Sequence, residues 1–288
     1  MPRLIDTHAH LNLAAYDADR QQVIKNSLKE GIFMINVGVN YASSMRAVEI
    51  ADESGAGVWA AIGLHPENIG NDLRVVPKDF CNPEDIKEPE FDVELYRKLA
   101  QSSKKVVAIG EIGLDYLRLP KDEAKAAPIR EKQAAIFQQQ LALANELGLP
   151  AIIHSRMAHE DTIKILRDFA GAAGTINGVI HCFTGNAKEA RQYHDLGLYF
   201  GLNGIIFKLN LDEAIREMPS DRILLETDCP FLLPPLASIA SGGSLLEVKR
   251  NEPRFVANIA HRVAQIRNEP PAAIIEAATA NAEKLFGI

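Results

Sequence analysis

Short apolar runs alternate with longer amphipathic stretches along the whole chain. Val-, Ile- and Leu-rich runs predict strands near residues 3–8, 32–37, 57–63, 106–111, 150–154, 177–181, 198–202 and 222–227. Helical spacing of apolar positions predicts helices at 17–30, 43–54, 92–103, 130–147, 158–170, 186–196 and 211–218, followed by 252–267 and 271–285. The clearest is 130–147, where Ile136, Phe137, Leu141, Ala144 and Leu147 make one stripe and Gly148-Leu149-Pro150 stops it. Asp17 or Asp19 is placed to cap the first helix and Asn186 the one at 186–196, because a side-chain oxygen there accepts from free amides of the first turn. Strands and helices alternating in this way, joined by right-handed crossovers, predict an α/β fold of the TIM (β/α)8-like barrel type. The chain, residues 1–288, reads as a single domain.

The polar exceptions to this pattern fall at one recurrent place, the end of an apolar run. Leu4-Ile5-Asp6-Thr7 leads into His8-Ala9-His10, and positions i and i+2 of a strand face the same way, so both rings can reach one cation. The same grammar delivers His65, Glu111, His154, His181 and Asp228. A carboxylate or imidazole at the edge of a Val/Ile/Leu run is costly to bury alone, and shared ligation of a divalent cation supplies the missing partner. These residues predict one polynuclear metal site assembled at one face of the barrel. Glu226 shares strand parity with Asp228 and is expected to orient the site, while Asp115 is expected to fix the loop after Glu111. His159, His194 and His261 lie in helical segments without such company and read as structural or surface residues.

Composition narrows the setting. Charged residues make up 24% and hydrophobic residues 47% of the chain, as in ordinary soluble globular proteins, and no apolar stretch has the length of a membrane span. The start shows no cleavable leader pattern, and Cys81, Cys182 and Cys229 have no paired spacing, so a reducing cytoplasm is expected. A net charge of −7 argues against broad, sequence-independent binding along nucleic acid. It leaves room for an enzyme of nucleic acids, since bound cations attract phosphate even to an acidic chain. Residues 66–91 and 230–251, rich in Pro, Gly and polar residues, read as long connections on the ligand face.

Taken in order, several blocks closely resemble TatD-type metal-dependent hydrolases and deoxyribonucleases. They are Asp6-Thr7-His8-Ala9-His10-Leu11, Gly63-Leu64-His65-Pro66, Gly110-Glu111-Ile112-Gly113-Leu114-Asp115-Tyr116, Ile153-His154-Ser155-Arg156, His181-Cys182-Phe183-Thr184-Gly185, Glu226-Thr227-Asp228-Cys229-Pro230 and Arg250-Asn251-Glu252-Pro253. The resemblance implies a TIM-like barrel with two divalent ions, His8, His10 and Asp228 at the first, His154 and His181 at the second, and Glu111 bridging them. Mg, Mn and Zn all stay open, since imidazoles suit transition metals whereas Mg prefers oxygen and water. Two ions roughly 3.5–4 Å apart clamp a phosphodiester and activate water.

The resemblance further implies a 3′ to 5′ exodeoxyribonuclease acting on single-stranded DNA ends, with RNA a possible substrate and no obligate protein partner. Glu111 and Asp228 are the expected catalytic residues, Asp228 orienting or deprotonating the water. His65 and Arg250 are expected at the substrate phosphate, Arg250 through its rigid fork. Two other readings stand beside these: His65 anchors the turn before Pro66, and Arg250-Asn251-Glu252-Pro253 locks the start of a helix. Tyr116, Phe183, Phe207 and Phe231 are candidates for stacking on a base. Alternative functions are an ester or amide hydrolase, such as an aminoacyl-tRNA deacylase, and a noncatalytic metal-stabilised binding protein. The chain departs from the family's usual form at Glu67, where a second His is common, and at 236–248, where Ala, Ser, Gly and Leu replace a short basic connection. Both departures bear on substrate choice.

Overall fold

The computed structural model describes residues 3–69, 90–173, 176–235 and 250–288. Most of the connection expected at 66–91, and the stretch 236–248, therefore lie outside the described residues. The apolar runs form strands β1 (Leu4–Ala9), β2 (Ile32–Val37), β3 (Val58–Ile62), β4 (Val106–Asp115), β5 (Ala151–Arg156), β6 (Gly178–Ile180), β7 (Tyr199–Leu202) and β8 (Ile223–Leu225). They make one eight-stranded sheet in chain order, each strand parallel to the next. The ends of β1 and β8 meet through an Ala9–Cys229 bridge, with His10 N–H donating to the Cys229 carbonyl and Asp228 N–H to the His8 carbonyl, each at 2.9 Å. Closure of this TIM-like barrel thus falls beside three of the expected ligands.

Between and after the strands lie α1 (Arg20–Lys29), α2 (Tyr41–Ser54), α3 (Val93–Ser102), α4 (Glu123–Leu147), α5 (His159–Ala173), α6 (Ala187–Asp195), α7 (Asp212–Glu217), α8 (Val256–Arg267) and α9 (Pro271–Phe286). Asn186 caps α6 as its sequence suggests, accepting from the Glu189 N–H at 3.0 Å. Two expectations shift. Helix α4 begins at Glu123, ahead of the apolar stripe, because Asp122 accepts from the Ala124 N–H and Pro128 falls early enough to forfeit only one backbone bond. Asp19 occupies the N-cap position of α1 without capping it, since its carboxylate is drawn to Arg250. Among the described residues no helix is long and apolar enough to cross a membrane.

What positions the site is the parity of side chains inside the barrel. Ile5, Ile35, Ala61, Ala108, Ile152, Val179, Tyr199 and Leu224, drawn from all the strands, join Ala282, Leu285 and Phe286 of α9 in one buried cluster. Residues from every strand can meet only in the interior, so this cluster is the barrel's filling, with α9 beneath it. Two residues beyond that layer, on the same side, come His65's neighbour Gly63, His154, His181, Gly201 and Glu226. In β1 and β4 the register shifts between Asp6 and Ala9 and between Ile109 and Ile112. Those irregularities bring His8 and Glu111 inward three residues after Ile5 and Ala108 instead of two. Just beyond Glu111, Gly113 (φ +139°) permits the close approach of β4 to β5, since a Cβ there would lie 2.1 Å from the His154 carbonyl oxygen.

Candidate metal centre

Glu111 stands at the middle of a cluster of imidazoles. Its carboxylate lies 2.7 Å from His154 Nδ1, 3.3 Å from His65 Nε2, 3.4 Å from His8 Nε2, 3.6 Å from His181 Nε2 and 3.8 Å from His10 Nε2. Asp228, in the left-handed region at φ +56°, turns its carboxylate to within 3.4 Å of His10 and 3.9 Å of both His8 and His181. His8 and His10 Nε2 are only 3.1 Å apart, and the His8 and His181 rings stack at 3.5 Å. The structure thus gathers His8, His10, His65, Glu111, His154, His181 and Asp228, all of which the apolar pattern had picked out.

The outward nitrogen of each ring decides what the inward one can do. His10 Nδ1 donates to the Val37 carbonyl at 2.9 Å, which leaves its Nε2 lone pair facing the cluster. His154 Nε2 meets Asp115 Oδ2 at 2.9 Å while Nδ1 faces Glu111. His181 Nδ1 sits 2.8 Å from Glu226 Oε1, a close contact without hydrogen-bond alignment, and its Nε2 faces inward. Glu226 is itself held by the Cys182 N–H at 2.8 Å and Asn203 Nδ2 at 3.0 Å, in space that exists because residue 201 is glycine: a Cβ there would lie 2.4 Å from Glu226 Oε2. His65 is wired the other way round. Its Nδ1 accepts from the Glu67 N–H at 3.1 Å, so the neutral ring carries its proton on Nε2 and presents a donor to the cluster. The same bond caps the turn Pro66–Asn68, so the turn-anchoring and site-facing readings of His65 coexist.

Protons balance charge within the cluster. Burial alone would lower the His154 pKa, but Asp115 and Glu111 outweigh it and raise the ring to about 10. His181 rises to about 9 against the same penalty because of Glu226 and Glu111. His8, buried and beside the His181 ring, falls to about 4. Burial opposes ionisation of Glu111 and Asp228, yet the surrounding rings, His65 and His181 for Glu111 and His10 for Asp228, hold both below the usual carboxylate range. Deeper in, burial pushes Asp6 up to about 8 even though Thr227 donates to it through N–H and hydroxyl.

This donor set fits divalent ions. His8, His10 and Glu111 form one group of converging ligand atoms and His65, Glu111 and His154 another, with Glu111 common to both. Among the described residues His8, buried, has no hydrogen-bond partner on Nδ1, and its close polar neighbours there lie inside the cluster. Mixed imidazole and carboxylate donors, with the outer nitrogens of His10 and His154 already engaged, suit Zn or Mn, and a shared carboxylate accommodates Mg as well.

Sequence reading missed the network behind His154. Asp115 Oδ2 lies 2.9 Å from His154 Nε2 and forms an ion pair with Arg156 at 2.7 Å, Asp115 Oδ1 accepts from the Leu117 N–H, and Arg156 also pairs with Glu67. Burial and the neighbouring Asp115 carboxylate raise Glu67 to about 8. Strand parity was the available signal, since Arg156 lies two residues past His154. Arg250 is placed elsewhere: its guanidinium grips Asp19 at 2.6 and 2.7 Å, meets the Ala15 carbonyl, and lies over the Tyr16 ring. Asn251 ties down the Thr227 and Phe231 carbonyls, as the locking reading of this block expects. Of the four aromatic candidates, Phe183 is fully buried, Tyr116 donates to Asp161, Phe207 packs against the core, and Phe231 lies 6.2 Å from the His10 ring. Of the histidines read as structural or surface residues, His159 bonds Tyr193 and Thr184, while the His194 side chain is exposed.

The chain matches the family model for TatD related DNase over residues 5–287. It is 36% identical to an uncharacterized metal-dependent hydrolase, YabD, of Bacillus subtilis, covering 99% of both chains. It is 32% identical to the 3′-5′ ssDNA/RNA exonuclease TatD of Erwinia tasmaniensis, covering 99% of this chain and 100% of that one. The crystal structure of YjjV, a TatD homologue from Escherichia coli, superposes with a TM-score of 0.78 at 26% identity, covering 99% of this chain and 98% of the other. Sequence, fold and converging ligands agree: the chain belongs to the TatD family and is a metal-dependent hydrolase acting on ester bonds.

Proposed function

We propose that the protein removes nucleotides from the 3′ ends of single-stranded DNA, with RNA a further substrate, using two divalent ions, Mg, Mn or Zn. The observation that carries this reading is the position of Glu111, whose carboxylate lies 3.4 and 3.8 Å from His8 and His10 Nε2 on one side and 2.7 and 3.6 Å from His154 Nδ1 and His181 Nε2 on the other. His8, His10 and Asp228 would hold one ion, His154 and His181 the other, with Glu111 between them. When bound, such ions polarise a phosphodiester, lower the pKa of water and stabilise the leaving oxygen.

The protein's own groups perform the rest. The Asp228 side chain is 16% exposed against 5% for Glu111, and its carboxylate is held ionised, so it is the acceptor for the proton of the attacking water. His65, with its proton on Nε2, donates to a phosphate oxygen. Asp115 and Glu226 keep the His154 and His181 lone pairs aimed inward. Phe231, beside His10, offers a face for the terminal base. Arg250 contributes by anchoring the returning chain to Asp19. The relative from Erwinia tasmaniensis bears the matching description.

The test is mononucleotide release from a single-stranded DNA oligomer with a free 3′ end, in Mg or Mn and in chelator, beside Glu111→Ala. The reading expects metal-dependent release that Glu111→Ala abolishes. Release surviving in chelator, or silence from metal-loaded protein that cleaves an aminoacyl ester, overturns it.

A further inference from the structure

We propose that Arg156 forms a second phosphate subsite at the barrel mouth, taking a phosphodiester of a single-stranded polynucleotide next to the scissile one. The inference rests on the phosphodiesterase reading above and names how that site holds its polymer. Arg156 ends β5, two residues beyond His154, so both side chains project to the same side of the strand. One oxygen joins them, since Asp115 Oδ2 lies 2.9 Å from His154 Nε2 and 2.7 Å from the Arg156 guanidinium. The guanidinium is therefore one shared carboxylate oxygen away from a ring that faces Glu111.

Its donors are only partly used. Asp115 and Glu67 both engage Nη2, whereas Nε is buried without an acceptor and Nη1 has none among the described residues. Nε is enclosed, as it is in Arg222 and Arg254, so Nη1 is the donor open to a ligand, and a phosphate oxygen is the acceptor that a planar guanidinium matches best. The side chain remains one-third exposed (33%), so a ligand can reach it. Arg250 makes the contrast: both of its terminal nitrogens are bound to Asp19 or the Ala15 carbonyl. Two carboxylates on one nitrogen hold the Arg156 plane in place before any ligand arrives, which spares the entropy of ordering a long side chain.

The test is equilibrium binding of a fluorescent, cleavage-resistant phosphorothioate oligodeoxynucleotide to the full-length, metal-loaded protein over a range of salt. Wild type, Arg156→Gln and Arg156→Lys are compared, with metal content and Tm measured for each. Arg156→Gln is expected to weaken binding about tenfold and to flatten the slope of log affinity against log salt by about 0.7, the share of one phosphate on a single strand. Arg156→Lys keeps the slope and loses part of the affinity, because the charge stays and the fork is gone. A wild-type slope in Arg156→Gln overturns the proposal even if affinity drops, since a structural role would weaken binding without changing the slope. If Arg156→Gln does not fold, unchanged affinity in Arg156→Lys overturns it and a several-fold loss at constant slope supports it. Absence of oligonucleotide binding by wild type overturns it too. Tight binding with no nucleotide release from a cleavable oligomer defeats the exonuclease reading alone and leaves the subsite to be judged by the slopes.

Discussion

Replacing Glu226 by Gln removes a charge that touches no expected ligand atom facing the cluster, yet it should loosen the metal. Glu226 is 1% exposed and its carboxylate serves three neighbours: the Cys182 N–H at 2.8 Å, Asn203 Nδ2 at 3.0 Å and His181 Nδ1 at 2.8 Å. All three meet the same oxygen, Oε1, so a Gln amide that keeps its oxygen there preserves the Cys182 and Asn203 bonds and loses the negative charge facing His181. Without that charge the proton is no longer drawn to Nδ1, and the tautomer with the proton on Nε2, where the metal-facing lone pair should be, gains population. Loss of such an orienting partner weakens metal affinity by roughly 10–100-fold, or about 1.4–2.7 kcal/mol. Competition against a chromogenic chelator near neutral pH, on protein whose Tm confirms folding, measures it. A folded Glu226→Gln protein with wild-type affinity for both ions refutes the tautomer argument.

Three further outcomes follow from the geometry. The proton that balances charge on His154 and His181 must leave before those rings ligate, so ion affinity should rise with pH between 6 and 8. In the ion-free protein the same rings, raised from 6.5 to about 10 and about 9, contribute stability that is fully present below 6.5 and is lost as pH climbs through 9 to 10. Chelator competition and calorimetry across that range check both signs, and an affinity that falls with pH contradicts them. Asn251→Ala should cost about 2–4 kcal/mol by stranding two carbonyls, those of Thr227 and Phe231, with an unchanged Tm as the contrary result.

Much of this was legible in the chain because the barrel repeats one rule: an apolar residue fills the interior and the residue two further on faces the site. Ile152 and His154, Val179 and His181, and Leu224 and Glu226 obey it directly. Where the rule bends, at the register shifts of β1 and β4, no local sequence signal gives the bend, and only the polar residues themselves marked the positions. Arg250 and Asp19, separated by most of the chain, form a pair that composition and periodicity cannot register. The Glu67–Arg156–Asp115 network joins the ends of the neighbouring strands β3, β4 and β5, and it escaped because the pairing register that sets Asp115 beside Arg156 is not written in either strand alone.

The most direct test of the central claim, one shared site spanned by Glu111, is anomalous scattering from crystals of the Mn-loaded protein. The account predicts two peaks, one against His8, His10 and Asp228 and one against His154 and His181, with the Glu111 carboxylate reaching both. A single peak, or a pair that Glu111 does not join, would contradict it.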